Sequence, residues 1–427
     1  MFEIPVVHCV DTEGPLNETD YDSWLRVRDL CQEEYKINFV KRVLQGDYDN
    51  YKNAVGIKNI INQKTMNYVR NLDEHSEMLD GIFSSDFRNQ TQDSYGGNYK
   101  FSWFVMDHIN YKTDDRNKLQ GYHKIFDIFS KRISENALYK DTLEFHFHSN
   151  SPSYHSSHSN TFWLRDNKIF DIILHRLIDR QSFPIISRPG FHAVSPDSHW
   201  FLEQYIPFEF ANQSLALDRN ERFSDWSRAP KTWEGYNPSH DDYQKVGDCR
   251  RKIFSCLNIG TRHSVINRNH VQFAINEVKN GKKPIIAITN HDFREMKDDV
   301  KLIDHLLNEE FNKHENVKFI YCNAREALGL NHSIENFDYT FEGFKKNILK
   351  ITTNDKLFGP SPFFGYKTID NRYIFDNLTI VRPHFEWIYH FDDENINITN
   401  ISKIGIAANH ITGKQKINVI ELNQYAT

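Results

Sequence analysis

The sequence has few cysteines and no thiolate motif. Among 427 residues there are five cysteines, and no two of them form a C-x-x-C pair. An odd number of widely spaced cysteines predicts neither a disulfide framework nor a thiolate zinc site. We therefore expect most of them to be small buried residues in a reducing compartment. If the protein binds a metal, its ligands are expected to be nitrogen and oxygen atoms.

Signals for nucleic-acid binding, export and membrane insertion are also missing. The formal charge is −6 and there is no stripe rich in lysine and arginine, which makes nucleic acid a poor candidate partner. The first residues, MFEIPVVHCVDTEGP, lack the basic, apolar and cleavage regions of a signal peptide. No stretch reaches the ~18 uninterrupted apolar residues that span a bilayer. We therefore expect a cytoplasmic protein with no transmembrane segment.

From residue 99 onward, strand and helix patterns alternate along the chain. Apolar runs such as FPIISRPG (183–190) predict strands, and amphipathic runs such as NKIFDIILHRLIDRQ (167–181) predict helices. Strands separated by helices of this length are typical of parallel βα units. At least six such units between residues 2 and 330 predict an α/β fold, a (β/α) barrel that is seven-stranded or otherwise irregular.

Three stretches depart from this alternation. A polar region at about 17–98 is predicted to be a helical insertion, and residues 215–247 are predicted to be irregular. The tail from residue 336 contains β-rich pieces with turn signals and little helix. We therefore divide the chain into a barrel at 1–332 and a small β-rich domain at 333–427.

Polar residues stand at the ends of the predicted strands, in HCVDTEG, EFHFHSN, ISRPGFH, PFEFANQ and ITNHDFRE. The carboxyl ends of the strands of a parallel barrel meet on one face, so these residues would line one cavity. Asp11 and Glu13 are two residues apart in an extended segment and point the same way, as do His146 and His148. Two such imidazoles can bind one divalent ion, while one carboxylate binds the metal and the other acts as a general base.

Each of these signals has a simpler interpretation when it is taken alone. The acids of the first strand could be turn or helix-cap residues, and the four histidines of residues 144–158 could belong to a polar loop. Arg188 could be the surface residue of a rigid turn instead of an anchor for a catalytic carboxylate. His291, followed by Asp292, has the chemistry to donate a proton near neutral pH, although the pair alone is weak support. Their shared position at strand ends favours the functional interpretation.

In this order the motifs resemble the polysaccharide deacetylase superfamily, also called the NodB-homology superfamily or carbohydrate esterase family four. Within it they are most similar to the WalW-like branch of lipopolysaccharide and capsule biosynthesis, and the resemblance covers residues 6–296. CVDTEG is similar to the first motif of the family, which implies that Asp11 is the catalytic base and Glu13 a metal ligand. Thr12 stands where typical members carry a second aspartate, so the division of roles between the two acids is open.

The second motif, which supplies two histidine ligands in the family, matches only in its first half. His148 and the serine after it fit, but Pro152 occupies the position of the second histidine. The resemblance therefore implies that the second imidazole comes from His146, with His155 as the reserve ligand.

The remaining motifs imply the other catalytic residues. Arg188 with Pro189 is similar to the third motif, whose arginine positions the base, and ITNHD is similar to the fifth motif, which makes His291 the catalytic acid. The fourth motif is faintly present in IPFEFANQ. The residues assigned to substrate binding are Asp292, Glu209 and Trp226.

The resemblance implies a metal-dependent deacetylase. In such enzymes a divalent metal, usually zinc, activates water and polarises the acyl carbonyl of an N-acetyl sugar, which yields acetate and an amino sugar. Without an export signal, the expected substrate is a nucleotide-linked or lipid-linked sugar, or an oligosaccharide. Two alternatives stay open: a metal-dependent amidohydrolase acting on another amide or a formyl group, and a degenerate deacetylase-like protein that binds a glycan or a partner without catalysis.

Overall fold

The protein combines a parallel barrel with an antiparallel β-rich region. The computed structural model describes residues 1–15, 24, 27–34, 36–61, 69, 71–108, 122–148, 168–216, 226–260, 264–330, 333–341 and 347–422. No helix within these ranges is long and apolar enough to cross a membrane.

Strands and helices alternate through most of the chain. The strands β1–β9 are Phe2–Thr12, Phe101–His108, Thr142–His148, Ile186–Pro189, Phe208–Asn212, Lys252–Ser255, Leu257–Asn258, Ile286–His291 and Val317–Cys322. The helices α1–α10 are Ile37–Leu44, Ala54–Ile60, Leu72–Phe83, Ser85–Gln90, Tyr122–Glu135, Lys168–Arg180, Pro196–Tyr205, Arg268–Lys279, Met296–Phe311 and Ala324–Leu328. The strands β10–β17 are Phe337–Phe341, Ile348–Thr353, Phe363–Thr368, Tyr373–Phe375, Thr379–Arg382, Glu386–His390, Ile401–Asn409 and Gln415–Glu421.

Strands β1–β8 form a nearly closed parallel barrel. Their hydrogen-bonded order is β6-β5-β4-β3-β2-β1-β8-β7, and β9 pairs with the first half of β1. Cys256 alone separates β6 from β7, and these two strands pair with β5 and β8 at the opposite ends of the order. One short segment therefore links both ends, which confirms the predicted irregular (β/α) barrel. This segment was not predicted from the sequence, because its two strands have only four and two residues.

Alternate residues of the barrel strands face two different cores. In β1, Val6 and Val10 pack with residues of the surrounding helices. Val7 and Cys9 instead belong to a cluster that collects buried side chains from several strands, which identifies it as the barrel interior. Later residues of β1 at the same alternate positions as Val7 and Cys9 therefore point their side chains into the barrel interior, at the carboxyl end of the strands.

The insertion between β1 and β2 contains the helices α1–α4. Helices α1 and α2 share a small core of their own, whereas α3 packs against the main barrel cluster through residues such as Leu79 and Ile82. Helix α3 begins at Asn71, whose side chain accepts hydrogen bonds from the backbone N–H groups of Asp73 and Glu74. The helix is thereby held against the barrel with a defined start.

The C-terminal region consists of two four-stranded antiparallel sheets, β10-β11-β15-β14 and β13-β12-β16-β17. Both contribute to one core, in which Trp387 of the first sheet and Ile404 of the second are fully buried. The second sheet also packs against α6 of the barrel. The Asn409 side chain donates hydrogen bonds to the backbone carbonyls of Pro184 and Tyr205, both at 2.8 Å. The predicted β-rich appendix is confirmed, and it is docked on the barrel.

Candidate functional site

The candidate site lies at the carboxyl end of the barrel strands. Asp11 and Glu13 continue the inward row of Val7 and Cys9 along β1 and the loop after it. His146 and His148 alternate in β3 with two phenylalanines that belong to an outer cluster. The sequence periodicity therefore brings two acids and two imidazoles into the same interior.

Arg188 holds Asp11 with two hydrogen bonds. Its Nε and Nη2 atoms donate to the two carboxylate oxygens of Asp11 at 2.7 and 2.9 Å, and Nη1 donates to the Phe210 carbonyl at 3.0 Å. Both side chains are buried. Burial alone would raise the pKa of Asp11, but the guanidinium outweighs it and holds the pKa well below its usual range. Asp11 is therefore ionised and fixed in orientation.

Glu13, His146 and His148 form a buried group whose potential ligand atoms lie within 4.8 Å of one another. The Nε2 atoms of the two histidines are 2.9 Å apart, and Oε1 of Glu13 lies 3.7 Å from Nε2 of His148. Nδ1 of His146 lies 3.0 Å from the carbonyl oxygen of Arg188 and must donate its proton to it. In the neutral ring this leaves the lone pair of Nε2 directed at the group. One carboxylate and two imidazoles are a donor set that suits zinc.

Gly190 makes room for His148. A Cβ atom at this position would lie 2.4 Å from Cγ of His148, closer than non-bonded atoms can approach. The two residues that follow, Phe191 and His192, both adopt positive φ angles, of 54° and 52°. Such strained backbone persists where its surroundings hold it, and it is concentrated at functional sites. The turn after β4 thus brings its backbone against a candidate ligand.

His291 lies beside both acids at the end of β8. Its Nε2 atom is 3.6 Å from Oε1 of Glu13 and 4.0 Å from Oδ2 of Asp11, and its side chain is 25% exposed. Burial lowers the pKa of His291 well below its usual value, which the negative charge of Asp11 opposes and the positive charge of Arg294 reinforces. The ring is therefore neutral near pH 7 and still partly exposed to solvent.

Asp292 is bonded to the loop after β1 and to the insertion. Its side chain is fully buried, and Oδ1 accepts hydrogen bonds from the backbone N–H groups of Glu13 and Gly14 at 2.7 and 3.1 Å. Its other oxygen lies 2.8 Å from Nε2 of His75. These contacts support the loop after β1, and the fully buried carboxylate is not accessible to a substrate.

The other residues assigned to substrate binding lie behind the site or apart from it. Trp226 is buried, and its indole N–H donates to the carbonyl oxygen of His192 at 3.1 Å. Glu209 is buried in an ion pair with Arg251. His155 lies outside the described residues.

Sequence reasoning missed two histidines that support the site. Nδ1 of His192 lies 3.2 Å from the carbonyl oxygen of Ala211, and burial together with the charge of Arg188 lowers the pKa of His192 to about 3. Its position four residues after Arg188 was an available signal. His75 belongs to the helical insertion, where no motif marks it.

A second group of potential metal ligands consists of His199, His240 and Cys249. Arg251 donates from Nε to Nδ1 of His199 at 3.1 Å, so the proton of the neutral ring is on Nε2. Nε2 lies 2.9 Å from Sγ of Cys249 and donates to it. Burial, followed by the charge of Arg251, lowers the pKa of His199 to about 3, which keeps the ring neutral. In this hydrogen-bonded chain both ring nitrogens of His199 are engaged, so His199 offers no lone pair to a metal.

Comparison with known proteins does not assign the chain to a family: no family model matches the sequence, and no curated protein matches it. The fold and the site together define a (β/α) barrel with a candidate metal-binding group at the carboxyl ends of its strands.

Proposed function

We propose that the protein is a metal-dependent hydrolase that removes an N-acetyl or related N-acyl group from an amino sugar in surface-glycan biosynthesis. One observation carries this proposal: the ligand group of Glu13, His146 and His148 lies beside an arginine-held aspartate and a partly exposed histidine. Amide hydrolysis requires these three functions, namely activation of water, a base for its proton and an acid for the leaving nitrogen. The motif resemblance to polysaccharide deacetylases supports the same reaction.

The ligand group fits a divalent metal, and zinc is the best candidate. The lone pair of Nε2 on His146 is directed at the group, and Glu13 adds a negatively charged oxygen. Three protein ligands leave a fourth position open, as in catalytic zinc sites. Bound there, zinc would supply Lewis-acid activation of water and of the acyl carbonyl.

Asp11 is the proposed general base. Both of its oxygens accept hydrogen bonds from Arg188, so the carboxylate is ionised and fixed in orientation before it takes up the proton. Its Oδ1 atom also lies 3.7 Å from Nδ1 of His146, which places the base beside the ligand group. A water molecule bound at the group would deliver its proton to this carboxylate.

His291 is the proposed general acid. Because the ring is neutral at rest, the proton that it gives to the leaving amine has to arrive during the reaction. Oδ2 of Asp11 lies 4.0 Å from Nε2 of His291 and is a suitable source. The proton would then travel from water to Asp11, from Asp11 to His291, and from His291 to the amine nitrogen.

The test is a panel of N-acetyl, N-formyl and other N-acyl amino sugars, free, nucleotide-linked and lipid-linked. Free amine and released acid are measured for the wild type with and without added Zn²⁺, and for His148→Ala. We expect zinc-dependent release from at least one N-acyl sugar by the wild type and none by the variant. Sugar binding without hydrolysis and without bound metal would support the degenerate, non-catalytic alternative.

A further inference from the structure

The helical insertion contacts the loop that follows His291 at two points. Before helix α3, the backbone N–H of Val69 donates to the carbonyl oxygen of Phe293 at 2.7 Å. On α3, Nε2 of His75 lies 2.8 Å from Oδ2 of Asp292, and both side chains are buried. The insertion therefore contacts the residues immediately after His291 through its backbone and through an imidazole.

Asp292 in turn forms hydrogen bonds with the loop after β1. Its carboxylate accepts the N–H groups of Glu13 and Gly14, and its own N–H lies 3.4 Å from the carbonyl oxygen of Asp11. Gly14 has a φ angle of 73°, which lets the chain turn directly after Glu13. The backbone of Glu13 is thus fixed by a side chain from another strand and by a turn that favours glycine.

The position of His75 is itself well defined. Its helix is capped by Asn71, and its ring packs edge-on against Phe129 with 6.1 Å between ring centroids. Oδ2 of Asp292 accepts from the N–H of Gly14 at 3.2 Å and from His75 at the shorter distance of 2.8 Å, so losing His75 removes the closer of its two donors. His75 therefore helps to fix the orientation of the Asp292 carboxylate.

We propose that His75 is a positioning residue that orients the ligand Glu13 through Asp292, so that the helical insertion forms part of the framework of the metal site. This inference rests on the proposed metal-dependent function. The proposed order of contacts is His75 to Asp292 to the backbone of Glu13. Residues that orient metal ligands typically change metal affinity by ~10–100-fold when they are replaced.

The test measures zinc affinity by competition with a chelator, for the wild type and for His75→Leu, His75→Gln and Met78→Ala. His75→Leu removes the donor, and we expect binding at least ~10-fold weaker. His75→Gln keeps an N–H donor and should restore most of the affinity. Met78 is buried one turn further along α3, in the main barrel cluster, so Met78→Ala disturbs the same helix without touching Asp292. This control should bind zinc like the wild type.

The outcomes separate this inference from the proposed function. If the wild type does not bind zinc, the proposed function fails. If the wild type binds zinc and His75→Leu binds it equally well, or if Met78→Ala weakens binding as much as His75→Leu, the positioning role is contradicted while the metal site stands.

A second variant covers the case in which His75→Leu does not fold. Asp292→Asn keeps one oxygen for the N–H of Glu13 but places an amide N–H toward either His75 or the β1 loop. We expect weaker zinc binding and, with Co²⁺ in place of zinc, an altered visible absorption spectrum. Wild-type affinity together with a wild-type spectrum would overturn the proposal.

Discussion

Two of the buried arginine–carboxylate pairs in the described part of the chain can be compared directly, because their surroundings differ. Arg188 pairs with Asp11 at the carboxyl end of the strands, and Arg251 pairs with Glu209. Each arginine also has a cysteine nearby: Sγ of Cys256 lies 3.0 Å from Nη1 of Arg188, and Cys249 is reached through a histidine. In residue types the two clusters are nearly the same.

The two clusters differ in the hydrogen-bond partners of their histidine ring nitrogens. His146 donates from Nδ1 to a backbone carbonyl, which leaves the Nε2 lone pair directed at other potential ligands. His199 accepts at Nδ1 from Arg251, which places the proton on Nε2 and turns that atom into a donor. Two clusters with similar composition are therefore expected to behave differently toward a metal. Hydrogen-bond direction, more than residue type, separates a candidate metal site from a structural network.

The largest expected effect comes from the base. Asp11→Asn keeps the shape of the side chain but removes its negative charge and its ability to take up a proton. We expect deacylation to fall by about 10²–10⁴-fold in kcat, while bound metal stays close to the wild-type amount. The measurement is acid release under saturating substrate, with metal content determined on the same sample. Undiminished kcat would exclude Asp11 as the base.

The two arginines allow a direct comparison of stability. Arg188→Met and Arg251→Met each leave a buried carboxylate without its partner, which is expected to lower the free energy of unfolding by about 3–5 kcal/mol. Urea denaturation at neutral pH gives both values. Since only Arg188 contacts the proposed base, activity per folded molecule should fall in Arg188→Met and persist in Arg251→Met. An equal loss of activity in both would remove the functional distinction between the pairs.

Much of this fold was predictable from the sequence. Alternating strand and helix patterns predicted the parallel barrel, and the two-residue spacing of Asp11 with Glu13 predicted that their side chains share a face. The short strands β6 and β7 carry too few residues for a periodic signal, although they link the two ends of the strand order.

The support of the site was not predictable. His75 and Asp292 are 217 positions apart, and their contact depends on how the insertion folds back on the barrel. The ion pair of Arg251 with Glu209 spans 42 positions, so local sequence could not show that an arginine pairs with Glu209. Spacing within a strand predicts which residues share a face, whereas contacts between distant elements need the tertiary structure.

A smaller effect on zinc binding is expected when a substitution reduces the space around the candidate ligand His148. Gly190→Ala places a methyl group against its ring, which has to shift, and we expect zinc binding to weaken about 10-fold. Gly56→Ala is the matched control, because the new Cβ meets its nearest neighbour, Cδ1 of Leu30, at an ordinary 3.7 Å. Competition with a chelator measures both. Equal affinities in the two variants would mean that His148 is not a ligand or that its ring is free to move.

The smallest effect is expected at the second cluster. Cys249→Ala removes the sulfur that accepts the hydrogen bond from His199, which should cost about 1 kcal/mol of stability in urea denaturation. Metal content and deacylation should stay at wild-type levels, because His199 offers no ring lone pair to a metal. Loss of a bound metal ion in this variant would show that the tautomer assigned to His199 is incorrect.

The most direct test of the central claim is metal analysis of three proteins purified in parallel: the wild type, His148→Ala and His199→Ala. The account predicts about one zinc ion per chain in the wild type and in His199→Ala, and little in His148→Ala, because the metal is held by Glu13, His146 and His148. Equal metal content in the wild type and His148→Ala, or loss of metal only in His199→Ala, would contradict it.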